Sequence, residues 1–398
     1  VRILSLFLNN EVRTGGHRRY LELVEGLAAR GNEMIVLLNR DLQYEPRGFS
    51  PLKVAAPYRR SRFKRISPVF RAAVAGLDAA TIERLASAEL IMIHGETHLA
   101  AAALLKERTG LPIFYAHRSN TVRENLMKMS ESRAGSPAYL RSLADCVWYR
   151  SYERRIARSV DMIAFQSPYD MEDFGSRVPE ARGKSCVIRG NIGLPRFKEE
   201  EGKANHSASV RRLVFVGTLS PRKGLRYLLE AMDILARRGL VGLELDVLGP
   251  GDKADWKRHE RFLKERGLSG RVRLHGRVDD PFPYIRDADL MVVPSLFDSY
   301  PDTTLEALHV GTPVIGSRVG GIPDQLMYDS LLFEPMSGEA IAERIGRLVD
   351  DPAEYARARE LCAERRAFFR FDWAEAWERE MQAMIAAPAL SSGKDVAR

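Results

Sequence analysis

Short apolar runs alternate with helical stretches along both halves of this chain, and that alternation limits its possible folds more than any other feature. In the first half, strands are predicted at Arg2–Leu8, Glu33–Leu38, Glu89–His94, Pro112–Ala116, Asp161–Phe165 and Cys186–Arg189. The second half repeats the rhythm at Leu213–Gly217, Leu243–Gly249, Val272–Gly276, Leu290–Pro294, Pro313–Gly316 and Leu331–Phe333. Near-continuous apolar strands separated by helices are the pattern of parallel sheets buried on both faces. The expected class is α/β, with two Rossmann-like, doubly wound parallel-sheet domains facing a cleft.

A helix from about His17 to Arg30 follows the first strand, with Tyr20, Leu23, Val24 and Leu27 on one face and Gly31 as its stop. Residues 198–212, KEEEGKANHSASVRR, carry no apolar periodicity and read as an exposed linker. The expected divisions are therefore a first domain at 1–197, the linker, a second domain at 213–369, and a closing helix with a frayed tail at 370–398. A length of 398 residues is enough for two or three cores. No run of ~18 apolar residues is present, so no spanning helix is expected. VRILSLFLNN reads as a buried strand and not as a signal peptide. Cys146, Cys186 and Cys362 are scattered, which suits neither a disulfide framework nor a metal site and points to a reducing, cytoplasmic compartment.

The net charge of +8 is concentrated. Between Pro46 and Leu77 lie eight basic residues (Arg47, Lys53, Arg59, Arg60, Arg62, Lys64, Arg65, Arg71) and no acidic one, which matches the excess of the whole chain. Tyr58, Phe63, Ile66, Val69 and Phe70 are interleaved with them. An anionic membrane surface at residues 46–77 and a solvated loop without a partner both fit this segment, and both rank ahead of nucleic acid.

Residues 294–324, PSLFDSYPDTTLEALHVGTPVIGSRVGGIPD, carry most of the chemistry. A strand leads into an acidic loop at Asp298, then into a helix opened by Asp302, Thr303 and Thr304, with Glu306 expected in its first turn. A Gly-Thr-Pro turn, another strand and the pair Gly320-Gly321 follow. Free N–H groups at a helix start suit an anion, and a nearby carboxylate suits hydroxyls. Taken singly, Glu306 reads as a dipole-satisfying acid and Asp298 as a loop acid.

VFVGTLSPRKGL sets Arg222 and Lys223 at a helix entrance, where cations oppose the helix dipole unless an anion is near. Two solvated surface charges are the simpler reading. Thr14-Gly15-Gly16 after the first strand lets backbone approach a ligand, but also reads as a plain tight turn. There is no GxGxxG, HExxH or CxxC, so neither a dinucleotide fingerprint nor a protein metal site is expected. His94 and His117 each end a strand at the edge where ligands bind. His117, followed by Arg118, Ser119 and Asn120, is preferred.

Together these stretches resemble the retaining glycosyltransferases of family 4, which have the GT-B fold. TGGHRRYLELVEGLAARGNEMIVL resembles that family's opening loop and helix, VFVGTLSPRKGL its phosphate-contacting segment, and FDSYPDTTLEALHVGTPVIGSRVGGIPDQL its paired-acid motif. FRFDWAEAWEREMQAM resembles its closing helix, which crosses back onto the first domain. The resemblance implies that Glu306 bonds the donor ribose and that Asp298, where the family usually has glutamate, holds the donor sugar's hydroxyls. It further implies that Lys223 contacts the diphosphate with the amides of Thr303, Thr304 and Leu305 and with Gly16, and that His117 lies beside the reacting sugar. Gly320 and Gly321 would let backbone approach the donor. Gly217, Thr218, Arg222, Ser299, Tyr300, Pro301 and Asp302 complete the implied donor site, with His117, Asp298 and Lys223 as its catalytic members.

Three departures stand out: Asp298 for glutamate, Thr218 where many members carry an arginine that Arg222 would replace, and Asp324 for a frequent glutamate. The expected partners are a nucleotide-diphosphate sugar and a glycan or lipid-linked acceptor, with no nucleic acid, no metal and no cofactor. A glycosyl phosphorylase, a nucleotide-sugar epimerase and a non-catalytic glycan- or membrane-binding protein are the alternatives.

Overall fold

A computed structural model describes residues 1–12, 15–56, 68–192 and 209–387. Thr14, residues 57–67 of the basic segment, the first part of the 198–212 stretch and the tail from residue 388 lie outside the described residues.

The first sheet contains β1 (Arg2–Phe7), β2 (Glu33–Asn39), β3 (Leu52–Val54), β4 (Leu90–His94), β5 (Ile113–Ala116), β6 (Met162–Phe165) and β7 (Ser185–Val187). Their order is β3-β2-β1-β4-β5-β6-β7, parallel throughout. The second contains β8 (Arg212–Val216), β9 (Glu244–Leu248), β10 (Val272–Gly276), β11 (Leu290–Val293), β12 (Val314–Ser317) and β13 (Leu332–Phe333), in the order β10-β9-β8-β11-β12-β13, again parallel. Both orders reverse direction once, between β1 and β4 and between β8 and β11. Those switch points open crevices at the strands' carboxyl ends, where ligands bind in such sheets.

Each sheet is sandwiched by helices because its strands bury both faces. The first sheet has one core on each side, one around Leu4, Ile91, Ile113 and Phe174, the other around Ile3, Phe7, Val24 and Phe114. The second is enclosed by one continuous core. Trp373, Ala374, Trp377 and Met381 of the last helix, Trp373–Ala386, belong to the first sheet's core. Gly26 allows this: a Cβ there would lie 3.1 Å from the Ala374 Cβ. Arg30 adds charge-assisted bonds to Asp372 at 2.8 Å and Glu378 at 2.7 Å.

The predicted strands all form, with ends shifted by one or two residues. The edge strand β3 was not predicted, since it is three residues long and carries a solvent-facing Lys53. The helix Asp302–Val310 places Glu306 one residue beyond the first turn, so the dipole explanation for that acid loses force.

Candidate active site

The crevice between β8 and β11 brings together the two segments singled out in the second half. After β8 the chain turns through a short 3-10 turn, Pro221–Lys223, and Gly224 (φ +69°) starts the helix Leu225–Arg237. A Cβ at Gly224 would sit 1.8 Å from the Pro294 carbonyl oxygen, so only glycine lets this turn press against the end of β11. That packing delivers Lys223 and Arg222 to Asp298. Lys223 Nζ is 2.5 Å from Asp298 Oδ2, and Arg222 Nη1 is 3.4 Å from the same oxygen. Arg222 also donates to the Phe297 carbonyl at 3.2 Å and lies 3.8 Å from Glu124 of the first domain.

The cations at the helix entrance are thus balanced by carboxylates of the protein, and their position alone does not require a bound anion. Arg222 is engaged by these partners, and the Thr218 hydroxyl bonds Ser220 at 3.0 Å on the surface. Gly217 lies under the Lys223 side chain: a Cβ there would be 3.6 Å from Lys223 Cγ. Burial pushes the Asp298 carboxyl up, but the charges of Lys223 and Arg222 outweigh it and hold Asp298 below the usual carboxylate range.

Gly320 and Gly321 serve this loop. A Cβ on Gly320 (φ +54°) would meet the Asp298 carbonyl oxygen at 1.9 Å, and one on Gly321 would meet that of Ser299 at 2.0 Å. The Gly321 N–H donates to the Asp298 carbonyl at 3.0 Å. Their small size lets two backbone loops touch, which is a structural reason distinct from approach to a ligand.

Ser299 reaches the first domain. Its hydroxyl accepts from the Asn120 N–H at 3.3 Å and also bonds the Asp170 carboxyl. The Asn120 amide donates to Asp170 at 3.0 Å and Asp173 at 2.7 Å. Burial pushes the Asp170 carboxyl up to about 6, with Asp173 and Asp298 adding repulsion against the bonds from Asn120 and Ser299. Asp170 was not singled out from sequence. The signal was available: it sits in the first turn of a helix (Pro168–Arg177) capped by Ser167, just past the end of β6.

His117 follows β5 and its ring packs against Phe165 and Phe174, with centroids 4.9 and 5.3 Å away. Burial lowers its pKa to about 3, aided by Arg177, so the ring is neutral at physiological pH. His94 stacks on Tyr20 at 4.8 Å and is likewise held neutral by burial.

Where β1 ends, Gly15 and Gly16 open the helix Gly15–Ala29. A Cβ on Gly15 would lie 3.4 Å from Asp302 Oδ2, so the glycine loop abuts the helix that Asp302 begins. Arg19, also missed from sequence, is almost fully buried there. It bonds Asn191, lies 3.6 Å from Asp302 Oδ1 and covers the Trp373 ring at 4.5 Å. Arg118 lies near it, half-buried with its Nη1 enclosed, and loss of solvent around the guanidinium brings its pKa down to about 10. Arg19 Nε, Arg118 Nη1, His94 Nε2 and Asp302 Oδ1 have no hydrogen-bond partner among the described residues, and neither does Thr304 Oγ1. Glu306 lines a narrow crevice with Arg19, Asn191, Asp302, Leu305 and His309. Tyr300 and Pro301 connect the acidic loop to this helix. The Tyr300 hydroxyl donates to Asp324 at 3.3 Å, and the Pro301 carbonyl accepts from Gln325 at 3.0 Å and from the Thr304 N–H at 3.2 Å. Thr303 occupies the second helical position.

Between the halves lies a cavity of about 520 Å³, lined by Arg123, Met127 and Tyr169 on one side and Phe297, Arg318 and Gly320 on the other. No group of three His, Cys, Asp or Glu residues among the described residues is placed to hold a metal ion. No helix among them is long and apolar enough to cross a membrane.

Two doubly wound parallel-sheet domains with a cavity between them define the GT-B architecture. Residues 14–189 match a family model described as a glycosyl transferase 4-like domain, and residues 210–351 one described as glycosyl transferases group 1. The chain belongs to the family 4 glycosyltransferases. It is 23% identical over 291 residues to an MMP alpha-(1->4)-mannosyltransferase of Mycolicibacterium hassiacum, covering 71% of this chain and 67% of that protein. It is 27% identical to a D-inositol 3-phosphate glycosyltransferase of Corynebacterium glutamicum, covering 56% and 57%. The chain thus spans between half and about two thirds of the length of these curated relatives. A sucrose-phosphate synthase from Thermosynechococcus elongatus superposes with a TM-score of 0.76 at 21% identity, over 98% of this chain and 100% of that one. Anabaena HepE in complex with UDP-glucose superposes with a TM-score of 0.67 at 15% identity, over 97% and 100%.

Proposed function

We propose that this chain moves a hexose-type unit from a nucleotide-diphosphate sugar to an acceptor hydroxyl, with retention and without a metal ion. The observation that carries this reading is a set of buried polar atoms without hydrogen bonds among the described residues, Arg118 Nη1, His94 Nε2 and Thr304 Oγ1, gathered from both halves beside the Arg19–Asp302 ion pair at the start of the helix Asp302–Val310. Buried polar atoms are nearly always bonded, so such a cluster in a cleft calls for a polar ligand. The chemistry at hand, guanidinium groups, neutral imidazoles, helix-terminal N–H groups and carboxylates, suits a sugar diphosphate.

On this reading, the leaving diphosphate gains charge as the anomeric carbon becomes oxocarbenium-like. Lys223 and the N–H groups of Thr303, Thr304 and Leu305 stabilise it, the Thr304 N–H giving up its 3.2 Å bond to the Pro301 carbonyl and Lys223 its bond to Asp298. Asp298, released, accepts bonds from sugar hydroxyls, while Glu306 bonds the ribose. His117, neutral, offers a hydrogen bond and no charge. The acceptor hydroxyl attacks from the face the diphosphate leaves, and a phosphate oxygen takes its proton. No side chain is assigned as a nucleophile. The inter-domain cavity has room for the acceptor, for which we propose a glycan or lipid-linked precursor at the inner face of a membrane.

Thermal unfolding against a panel of nucleotide diphosphates and nucleotide sugars tests this. A ligand at ~100 times its dissociation constant adds ~2.7 kcal/mol. A shift with one base, lost in Glu306→Ala and reduced in Lys223→Ala, is expected. A shift with phosphate plus sugar, and with no nucleotide, would instead identify a phosphorylase.

A further inference from the structure

The long helix Pro137–Ser159 of the first domain has a solvent face unlike the others. Leu140, Leu143 and Val147 are 54%, 41% and 63% exposed, which makes them three of the nine large hydrophobic side chains left exposed among the described residues. At 100° per residue they fall within about 60° of one another. The same stripe continues, in the second half of the helix, through Ser151, Arg154, Arg155 and Arg158, with Arg141 and Arg150 at its flanks. Among the exposed positions of this helix, five are arginine and none is acidic. The opposite face is secured by the fold: Cys146, Tyr152, Glu153 and Ile156 are buried, and Glu153 is held by a bidentate bond from Arg177 at 2.7 Å.

We infer that this face docks on an anionic lipid surface, with Leu140, Leu143 and Val147 entering the headgroup boundary and the arginines pairing with lipid phosphates. Apolar side chains beside a run of cations on a single helical face form the pattern of an interfacial helix. Trp148 lies at the edge of the stripe, half-buried and stacked on Tyr152 at 4.9 Å, a position that suits the membrane–water interface. A second copy of the chain is the competing occupant. Three side chains fall far short of the ~800 Å² per partner that a stable interface buries, and five arginines would face five more across a symmetric contact.

The location matters to the cleft. The preceding helix, Thr121–Ser130, lines the inter-domain cavity with Leu126, Met127 and Ser130, and just beyond it Glu131 accepts a hydrogen bond from the Tyr227 hydroxyl of the second domain at 2.8 Å. A lipid surface held by the helix Pro137–Ser159 would therefore lie near the first-domain wall of the cavity. This inference shares its partner class with the membrane reading above, but it names a different surface from the basic segment and does not depend on the donor chemistry.

Flotation of the full chain with vesicles tests it, using phosphatidylcholine alone or phosphatidylcholine with phosphatidylglycerol. The protein is expected to float with the anionic vesicles only. Leu140→Gln combined with Leu143→Gln and Val147→Gln should abolish flotation, and Arg150→Gln with Arg154→Gln and Arg158→Gln should weaken it by about a hundredfold. All these positions are exposed, so unchanged melting temperatures and nucleotide-induced shifts would show that fold and donor site survive. Arg59→Gln with Arg60→Gln and Arg62→Gln should leave binding largely intact. Absence of binding by the unmodified chain, or equal binding by the apolar variant, would overturn the inference. So would loss confined to the Arg59/Arg60/Arg62 variant, or self-association in sedimentation that disappears in the apolar variant.

Discussion

Two aspartates meet Ser299 from opposite sides of the cleft, and their surroundings drive them in opposite directions. Asp298 is buried against Lys223 and Arg222 and is held ionised. Asp170 is buried with Asp173 and Asp298 nearby, and its pKa rises from the ordinary 3.8 to about 6. Because the folded value lies above the unfolded one, the native state holds this proton to higher pH than the unfolded chain does. Asp170 is therefore neutral to stability below about pH 4, costs stability as the pH rises from there through 6, and costs about 3 kcal/mol above it. Asp170→Asn keeps the shape: its oxygen can accept from the Asn120 amide and its NH2 can donate to the Ser299 hydroxyl oxygen. It should stabilise the protein at pH 7–8, with a gain that shrinks as the pH falls below 6 and disappears near pH 4. Denaturant unfolding across that range checks this; a gain independent of pH would mean that Asp170 is not the titrating group. Asp298 and Lys223 were legible as members of one site through their motifs. Asp170 was legible only as an acid in a capped helix start past the end of β6; what its sequence could not show is the contact with Ser299, which arises only where two domains meet. Arg19 escaped for a similar reason: its partners Asn191, Asp302 and Trp373 all come from distant segments.

At the scale of elements, the strands announced themselves because a strand buried on both faces is apolar throughout. The same rule hid β3, an edge strand. The glycine pair shows a different limit. Its sequence signalled close approach, but what approaches is the backbone of Asp298 and Ser299. Gly320→Ala should therefore cost more than about 3 kcal/mol, since it combines a left-handed residue with a carbonyl 1.9 Å from the new methyl group. Gly31→Ala offers the matched control: its φ is +88° at a helix end, but nothing lies within 4 Å, so only the backbone term of roughly 1–2 kcal/mol applies. Equilibrium unfolding of the two variants separates strain from collision. Donor-induced stabilisation should also be lost in Gly320→Ala and kept in Gly31→Ala, because only the former displaces Asp298.

For the whole molecule, the repeated alternation of strands and helices made two facing sheets predictable, but it could not say how the halves are tied. Apolar packing of the last helix into the first sheet's core is one tie, and polar contacts at the cleft are the others. Arg189, just after β7, forms a bidentate pair with Asp324 of the second domain, both bonds 2.8 Å long, and Asp324 accepts from Tyr300 as well. Tyr227 with Glu131 and Asn120 with Ser299 add single bonds at the cleft. Asp324, which departs from the family's frequent glutamate, is thus short enough to be shared by an arginine and a tyrosine. Arg189→Ala removes a strong, planar contact whose side chains are 32% and 19% exposed, so its loss should cost about 1–2 kcal/mol of closure and not of domain folding. The proposed donor groups stand mostly on the second domain, so nucleotide-induced stabilisation should change little. Transfer requires the acceptor to be set against the departing sugar by both domains, so turnover should fall roughly tenfold. Small-angle scattering should show a larger radius for the variant, reversed in part by saturating donor. A parallel fall in nucleotide affinity and turnover, without expansion, would place Arg189 in the donor site and remove it from the ties between the domains.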